Sequence, residues 1–210
     1  MSFGSRASRH DDIARPILDK KLEKHNSKTI DHGIETNKEL SSILGPINTD
    51  SSRWMRHKPD YAIIIPPNNV MYVDLKSEGG TYQNFSIEAW PHAIMTAKYT
   101  DAFIVGVDIR TEFVGIIPVK YIPEPKQVFF PEDSDAPDNK KLLKKYFPRA
   151  DFVDKDPPRY NASGTPYVLL PKNIFLDIDI FIERYILPHP ETESKPKISI
   201  MVGGGLFGDF

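Results

Sequence analysis

Asp60, Asp74 and Lys76 are residue types that can hold a divalent cation and position a water molecule against a phosphodiester, and their spacing lets a single hairpin bring them together. In the run Val70-Met-Tyr-Val-Asp-Leu-Lys-Ser77, the apolar Met71, Val73 and Leu75 alternate with Tyr72, Asp74 and Lys76. Alternation of period two predicts a strand with one apolar face and, on the other, a carboxylate beside an amine. Pro59-Asp60 opens a second apolar strand, Tyr61 to Ile65, and the turn cluster Pro66-Pro67-Asn68-Asn69 separates the two. A hairpin centred between Pro67 and Asn68 pairs Asp60 with Leu75 and so brings Asp60 beside Asp74 and Lys76. A slip of one residue would change the face that Asp60 occupies.

Two carboxylates at that distance repel each other and raise each other's pKa unless a cation sits between them. Mg²⁺ or Mn²⁺ fits, because hard oxygen ligands, retained waters and a substrate phosphate complete an octahedral shell around Asp60, Asp74 and the Leu75 carbonyl. Lys76 would orient the attacking water and offset the negative charge that builds in the transition state.

Pro59-Asp60 followed by Asp74-Leu75-Lys76 resembles the PD-(D/E)XK nuclease superfamily. The elements around the motif agree: a predicted helix from Ile30 to Leu44, the hairpin, a helical stretch from about Asn84 to Lys98, and a buried strand, Ala102-Phe-Ile-Val-Gly-Val107. The likeness covers roughly residues 29 to 120 and is greatest to the Holliday-junction resolvase and replication-repair branches. It implies an α/β, restriction-endonuclease-like core, a central mixed sheet flanked by helices with a C-terminal elaboration. It also implies a Mg²⁺-dependent endonuclease of DNA replication, recombination or repair. The alternative is a nucleic-acid-binding or assembly protein that keeps the fold and works through basic patches and a C-terminal docking tail.

The resemblance suggests further site residues. An acid from the first helix would be Glu35, with Glu39 second, although Asn37 stands where resolvase-like helices carry theirs. A glutamine on or near the second helix would be Gln83. Glu78 reads as the start of the Gly79-Gly80 loop, and Glu88 and His92, on either side of Pro91, read as surface residues. Pro91 is tolerated in a first helical turn, which puts the start of the helix near Trp90. The six histidines show no zinc spacing.

The 210 residues, 40% of them hydrophobic, can build one elaborated domain. Without cysteine the chain has no disulfide, thiol nucleophile or thiolate metal site. No apolar run predicts a membrane span or secretory leader, so the expectation is an intracellular protein, cytoplasmic or nucleoid-associated, of cellular or viral origin. The net charge is only −2, but residues 1–28 carry seven lysines and arginines against four acids, and Lys140, Lys141, Lys144, Lys145 and Arg149 form a second basic cluster. Either patch could hold nucleic-acid phosphates, with DNA expected before RNA.

The organisation read from the chain is a basic N-terminal extension (1–28), a nuclease core (29–122) ending in the strand Glu112 to Pro118, a proline-rich insertion (123–166), a returning strand and helix (167–187) and a tail (188–210). The insertion would line a substrate groove or make an oligomer contact, and the returning helix runs from Ile174 to Ile186. Leu206, Phe207 and Phe210 in the glycine-rich tail suggest docking to a replication-protein partner, or an edge strand from Ile198 to Val202. A homodimer is expected, because cutting two symmetric strands takes two sites.

Overall fold

The computed structural model describes residues 4–32, 58–99, 101–130, 137–154 and 166–187, and the short strands 201–202 and 205–206. Helix α1 (Gly4–Glu23) comes first. Its Ala14, Leu18 and Leu22 follow one another at intervals of four and are fully buried, so they form one stripe facing the core. Each leucine contributes about 2 kcal/mol by leaving water. Asn26, at φ 53°, supplies the left-handed residue that ends the helix, and Ser27 N–H returns to the Leu22 carbonyl. The segment expected to be a basic extension therefore covers the sheet with its apolar stripe.

Strand β1 (Lys28–Asp31) follows and pairs antiparallel with β2 (Tyr61–Ile65). Ile30, predicted to begin a helix, is instead a strand residue opposite Ala62. The rest of that predicted helix, with Glu35 and Glu39, lies outside the described residues. Strand β3 (Asn69–Glu78) completes the hairpin. The ladder differs by one residue from the predicted register: Tyr61 faces Val73 and Ile65 faces Asn69. The turn holds three residues, Pro66 to Asn68, where an even number was expected. Continued one step, the ladder sets Asp60 across from Asp74, on the same face of the sheet.

From β3 the chain passes through β4 (Asn84–Glu88) and helix α2 (Ala89–Lys98) to β5 (Ala102–Asp108), which runs parallel to β3, and then to β6 (Phe113–Pro118). The stretch predicted as helical from Asn84 thus begins as a strand. Phe85 and Ile87 are fully buried while Asn84, Ser86 and Glu88 are not, which is strand alternation. Strands β7 (Gln127–Phe129), β8 (Asp151–Val153), β9 (Tyr167–Pro171) and β10 (Leu176–Asp177) follow, with helix α3 (Pro137–Leu143) between β7 and β8. Asp177 then caps helix α4 (Ile178–Phe181) by accepting from the Asp179 and Ile180 amides, and a wider turn runs on from it through Ile186. The helix predicted from Ile174 thus starts four residues later.

The result is a mixed α/β fold with a six-stranded sheet in the order β1-β2-β3-β5-β6-β10, antiparallel except where β3 meets β5, and a four-stranded sheet in the order β4-β9-β7-β8. Met201–Val202 and Gly205–Leu206 form a separate two-stranded pair, designated β11 and β12. On one face of the large sheet, Met71, Val73, Leu75, Val105 and Val107 pack with α1 and α4. On the other, Ala102, Ile104 and Ile117 pack with the small sheet, α2 and α3. Val128, Phe130, Leu143 and Phe147 belong to this second core, so the proline-rich segment supplies part of the layer that covers the sheet. Gly106 and Gly115 are cross-strand partners, and their missing side chains make room for Phe85 and Phe175, whose rings meet edge to face at 5.0 Å.

Candidate active site at the open end of the hairpin

Because β3 is central, both of its faces are covered, and its polar face looks into the space between the two sheets. Asp74 is consequently 3% exposed. It stands opposite Ile104, and Lys76 opposite Gly106, where the Phe85 ring fills the place of a side chain. Asp60 is positioned from two sides. Its carbonyl accepts from the His32 amide at 2.9 Å, a bond that carries the β1–β2 ladder one step further. Its carboxylate accepts from the Leu75 amide at 3.1 Å.

A strand residue points its N–H and C=O toward the same edge. The Leu75 amide reaches Asp60 on the β2 side, so its carbonyl also faces that side, beyond Tyr61, where β2 begins. The Lys76 ammonium lies 2.9 Å from Asp74 Oδ2. This is a close ion pair without hydrogen-bond directionality, since Oδ2 is buried and has no hydrogen-bond partner among the described residues.

Burial pushes the Asp74 carboxyl up, and the neighbouring Asp60 adds to the rise; Lys76 opposes both, and the balance is a pKa of about 7. Burial pulls the Lys76 ammonium the other way, toward neutrality, but Asp74, Asp60 and Glu88 together outweigh it and raise its pKa. Lys76 is therefore a fixed cation facing two acids, one of which is reluctant to ionise. A divalent cation between Asp60 and Asp74 would relieve that reluctance. The donor set fits a small hard ion: two adjacent carboxylates, one with a buried oxygen whose ion pair with Lys76 lacks hydrogen-bond geometry, and a backbone carbonyl directed to the same edge. Among the described residues no cluster of three or more His, Asp or Glu side chains stands ready to hold a metal. Mg²⁺ does not need one, because it commonly binds through one or two carboxylates, waters and substrate phosphate.

No protein-family model matches the chain, and no curated protein matches it. Among solved structures, a bacterial homing endonuclease superposes with a TM-score of 0.31 at 13% identity, over 53% of this chain and 64% of that one. The match thus spans less than two thirds of the endonuclease, and a likeness this slight carries no weight for function. Among the described residues no helix is long and apolar enough to cross a membrane.

The structure brings together Asp60, Asp74, Leu75 and Lys76. Gln83 is elsewhere: it is exposed, and it lines a surface pocket with Asp108 and Lys172. Glu88, read from the sequence as an ordinary surface residue, is half-buried at the end of β4 and close enough to Lys76 to act on its charge. His92, also read as a surface residue, is 2% exposed, and among the described residues both ring nitrogens lack a hydrogen-bond partner. Burial holds its pKa down at about 4, so it is neutral and takes no part in this site.

Proposed function

We propose that the protein is a metal-dependent nuclease of the PD-(D/E)XK type, hydrolysing phosphodiester bonds in nucleic acid, with DNA as the first substrate to test. The observation that supports this most is the meeting of Asp60, Asp74 and Lys76 at one end of the β2–β3 hairpin, with the buried Asp74 Oδ2 ion-paired to the lysine and, among the described residues, meeting no hydrogen-bond geometry. Asp60, Asp74 and the Leu75 carbonyl would hold Mg²⁺ or Mn²⁺. The bound ion would supply Lewis acidity and a water of lowered pKa.

The chain's own residues do the rest. The Leu75 N–H bond to Asp60 and the packing of β3 hold the two carboxylates in place before substrate arrives. Such preorganisation avoids reorganisation during the reaction. Lys76, kept protonated by the acids around it, is a donor that can orient the attacking water and balance charge on the phosphoryl oxygens. Phe85 and the covered sheet exclude bulk water from one side, which strengthens each of these interactions.

The test is purified protein with Mg²⁺ against single-stranded, duplex, flapped and four-way-junction DNA and against RNA. Asp74→Ala and Lys76→Ala should each lower cleavage by about a hundredfold or more while the protein stays folded. Mg²⁺ should raise the melting temperature of the parent protein and leave that of Asp74→Ala unchanged. An inactive parent, or a variant cutting at the parental rate, rejects the assignment.

A further inference from the structure

The parallel strands β3 and β5 end side by side, with Glu78 opposite Asp108 and the Ile109 amide donating to the Glu78 carbonyl at 2.8 Å. Just beyond that edge is a cavity of about 270 Å³ lined by Gly80, Thr81, Tyr82, Gln83, Asp108, Arg110, Thr111 and Lys172. Its floor is an ion pair: Lys172 Nζ donates to Asp108 Oδ2 at 2.6 Å, with both side chains largely covered. The Asp108 Oδ1 accepts from the Arg110 amide at 3.1 Å. Burial works against ionising Asp108, but Lys172 and the Arg110 and Thr111 amides prevail and hold its carboxyl below the ordinary range. Lys172 is further tied down by its own amide, which donates to the Gln83 carbonyl at 2.9 Å, and by the Phe85 ring 5.4 Å beneath its ammonium. Asp108 is thereby neutralised, and the charges that remain are the Arg110 guanidinium in the cavity lining and, at its rim, the Glu78 carboxylate, which accepts from the Gly80 amide at 2.7 Å. Among the described residues the exposed Arg110 guanidinium makes no ion pair, and Thr81, Thr111 and Gln83 line the same cavity.

The position matters as much as the chemistry. Asp74, Lys76 and Glu78 share a face of β3, and Asp108 lies on the same face of β5, two residues beyond Gly106, the partner of Lys76. From Asp74, the metal-binding carboxylate, to the level of Asp108 is four strand residues, about 13 Å, comparable to two steps along an extended sugar-phosphate backbone. We propose that this cavity holds a phosphate of the nucleic-acid backbone about two steps from the scissile one, with Arg110 as the charged anchor and Thr81, Thr111 and Gln83 as neutral donors. The proposal rests on the nuclease reading for the identity of the ligand. A fork-shaped guanidinium beside hydroxyl and amide donors is suited to phosphate oxygens.

The test uses the full chain and fluorescein-labelled single-stranded and duplex oligonucleotides, with binding followed by anisotropy across a salt series without Mg²⁺. Arg110→Ala should weaken binding about tenfold and reduce the slope of log K against log salt by about 0.7 on single strands or about 0.9 on duplex. Arg110→Lys should restore the slope but only part of the affinity, and both variants should melt with the parent. In Mg²⁺, Arg110→Ala should raise KM and leave kcat within about twofold. Unchanged affinity and slope in Arg110→Ala overturn the proposal, as does a parent chain that binds no oligonucleotide. A parent that binds through Arg110 yet cuts nothing leaves the cavity standing and removes the nuclease reading, whereas a parent that cuts with a KM indifferent to Arg110 does the reverse.

Discussion

His92 lends itself to a quantitative test because it is both buried and unpartnered. It lies on α2 with its ring 5.2 Å from that of Phe147, 2% exposed, and neither nitrogen finds a hydrogen-bond partner among the described residues. In the unfolded chain it would titrate near 6.5, whereas burial lowers the folded value to about 4. Between those values the unfolded state binds the proton and the folded state does not, so stability falls as pH is lowered from about 6.5 and the loss is complete near pH 4. The gap corresponds to about 3 kcal/mol, a large share of the stability of a domain this size.

His92→Leu removes the titration and two buried polar atoms while keeping an apolar side chain of similar bulk. The variant should therefore be at least as stable as the parent at neutral pH, and more stable by about 3 kcal/mol further near pH 4. Urea unfolding of both proteins, from about pH 7.5 to about pH 4 and without divalent ions, measures this as the change in their difference. Asp74, whose raised pKa gives the opposite slope over part of the same window, is common to both proteins and cancels. Asp108 and Asp179, with lowered pKa values, lose their contributions only below the ordinary carboxylate range and stay outside it. Parallel curves for the two proteins would refute the reasoning, since they would mean that His92 is protonated, or solvated, in the folded state.

Gly106→Ala would drive a Cβ into the Phe85 ring, which is fully buried and has nowhere to retreat; it should cost about 1 to 3 kcal/mol, seen as a lower urea midpoint. Asp179 ties α4 to α1 by accepting from Lys21, Lys24 and His25 at 3.0 to 3.3 Å. Burial would push its pKa up, but those donors bring it below the ordinary value, so its contribution is present above the usual carboxylate range and lost as pH falls through the lowered folded value. Asp179→Asn should lose about 1 to 2 kcal/mol at neutral pH and flatten the steepest acid limb of the stability curve. Ca²⁺ in place of Mg²⁺ should support oligonucleotide binding but little turnover, because its looser coordination holds water and phosphate less well in line; full cleavage in Ca²⁺ would contradict the site as described.

The alternation of Met71, Val73 and Leu75 with Asp74 and Lys76, and the apolar runs at Tyr61 to Ile65 and Ala102 to Val107, were enough to show the strands and the hairpin, because side-chain period and turn residues are local properties. The same local signals made Asp60, Asp74 and Lys76 the candidate site. They could not set the register. Whether Asp60 shares a face with Asp74 turns on a single residue in the Pro66–Asn68 turn, and burial of both faces of β3 decides it. Helix α1 was hidden by the interior Pro16 and by its charged residues, and only its packing against β3 shows Ala14, Leu18 and Leu22 as a stripe. Lys28–Asp31 is a strand because β2 offers it an edge, which overrides the apolar spacing that suggested a helix from Ile30.

Glu88, His92 and Gln83 make the same point within the site region. Polar side chains next to a proline or in a loop read as surface, and what distinguishes them is which distant strand or helix arrives over them. The β4–β9 pairing and α3 bury His92 beside Phe147, bring Glu88 toward Lys76 and leave Gln83 at the neighbouring cavity. Residue types and local periodicity thus specified the chemistry available to this chain. The unusual charge state of Asp74 and the company Lys76 keeps were settled by tertiary burial, because desolvation and Coulomb interaction depend on neighbours far away in the sequence.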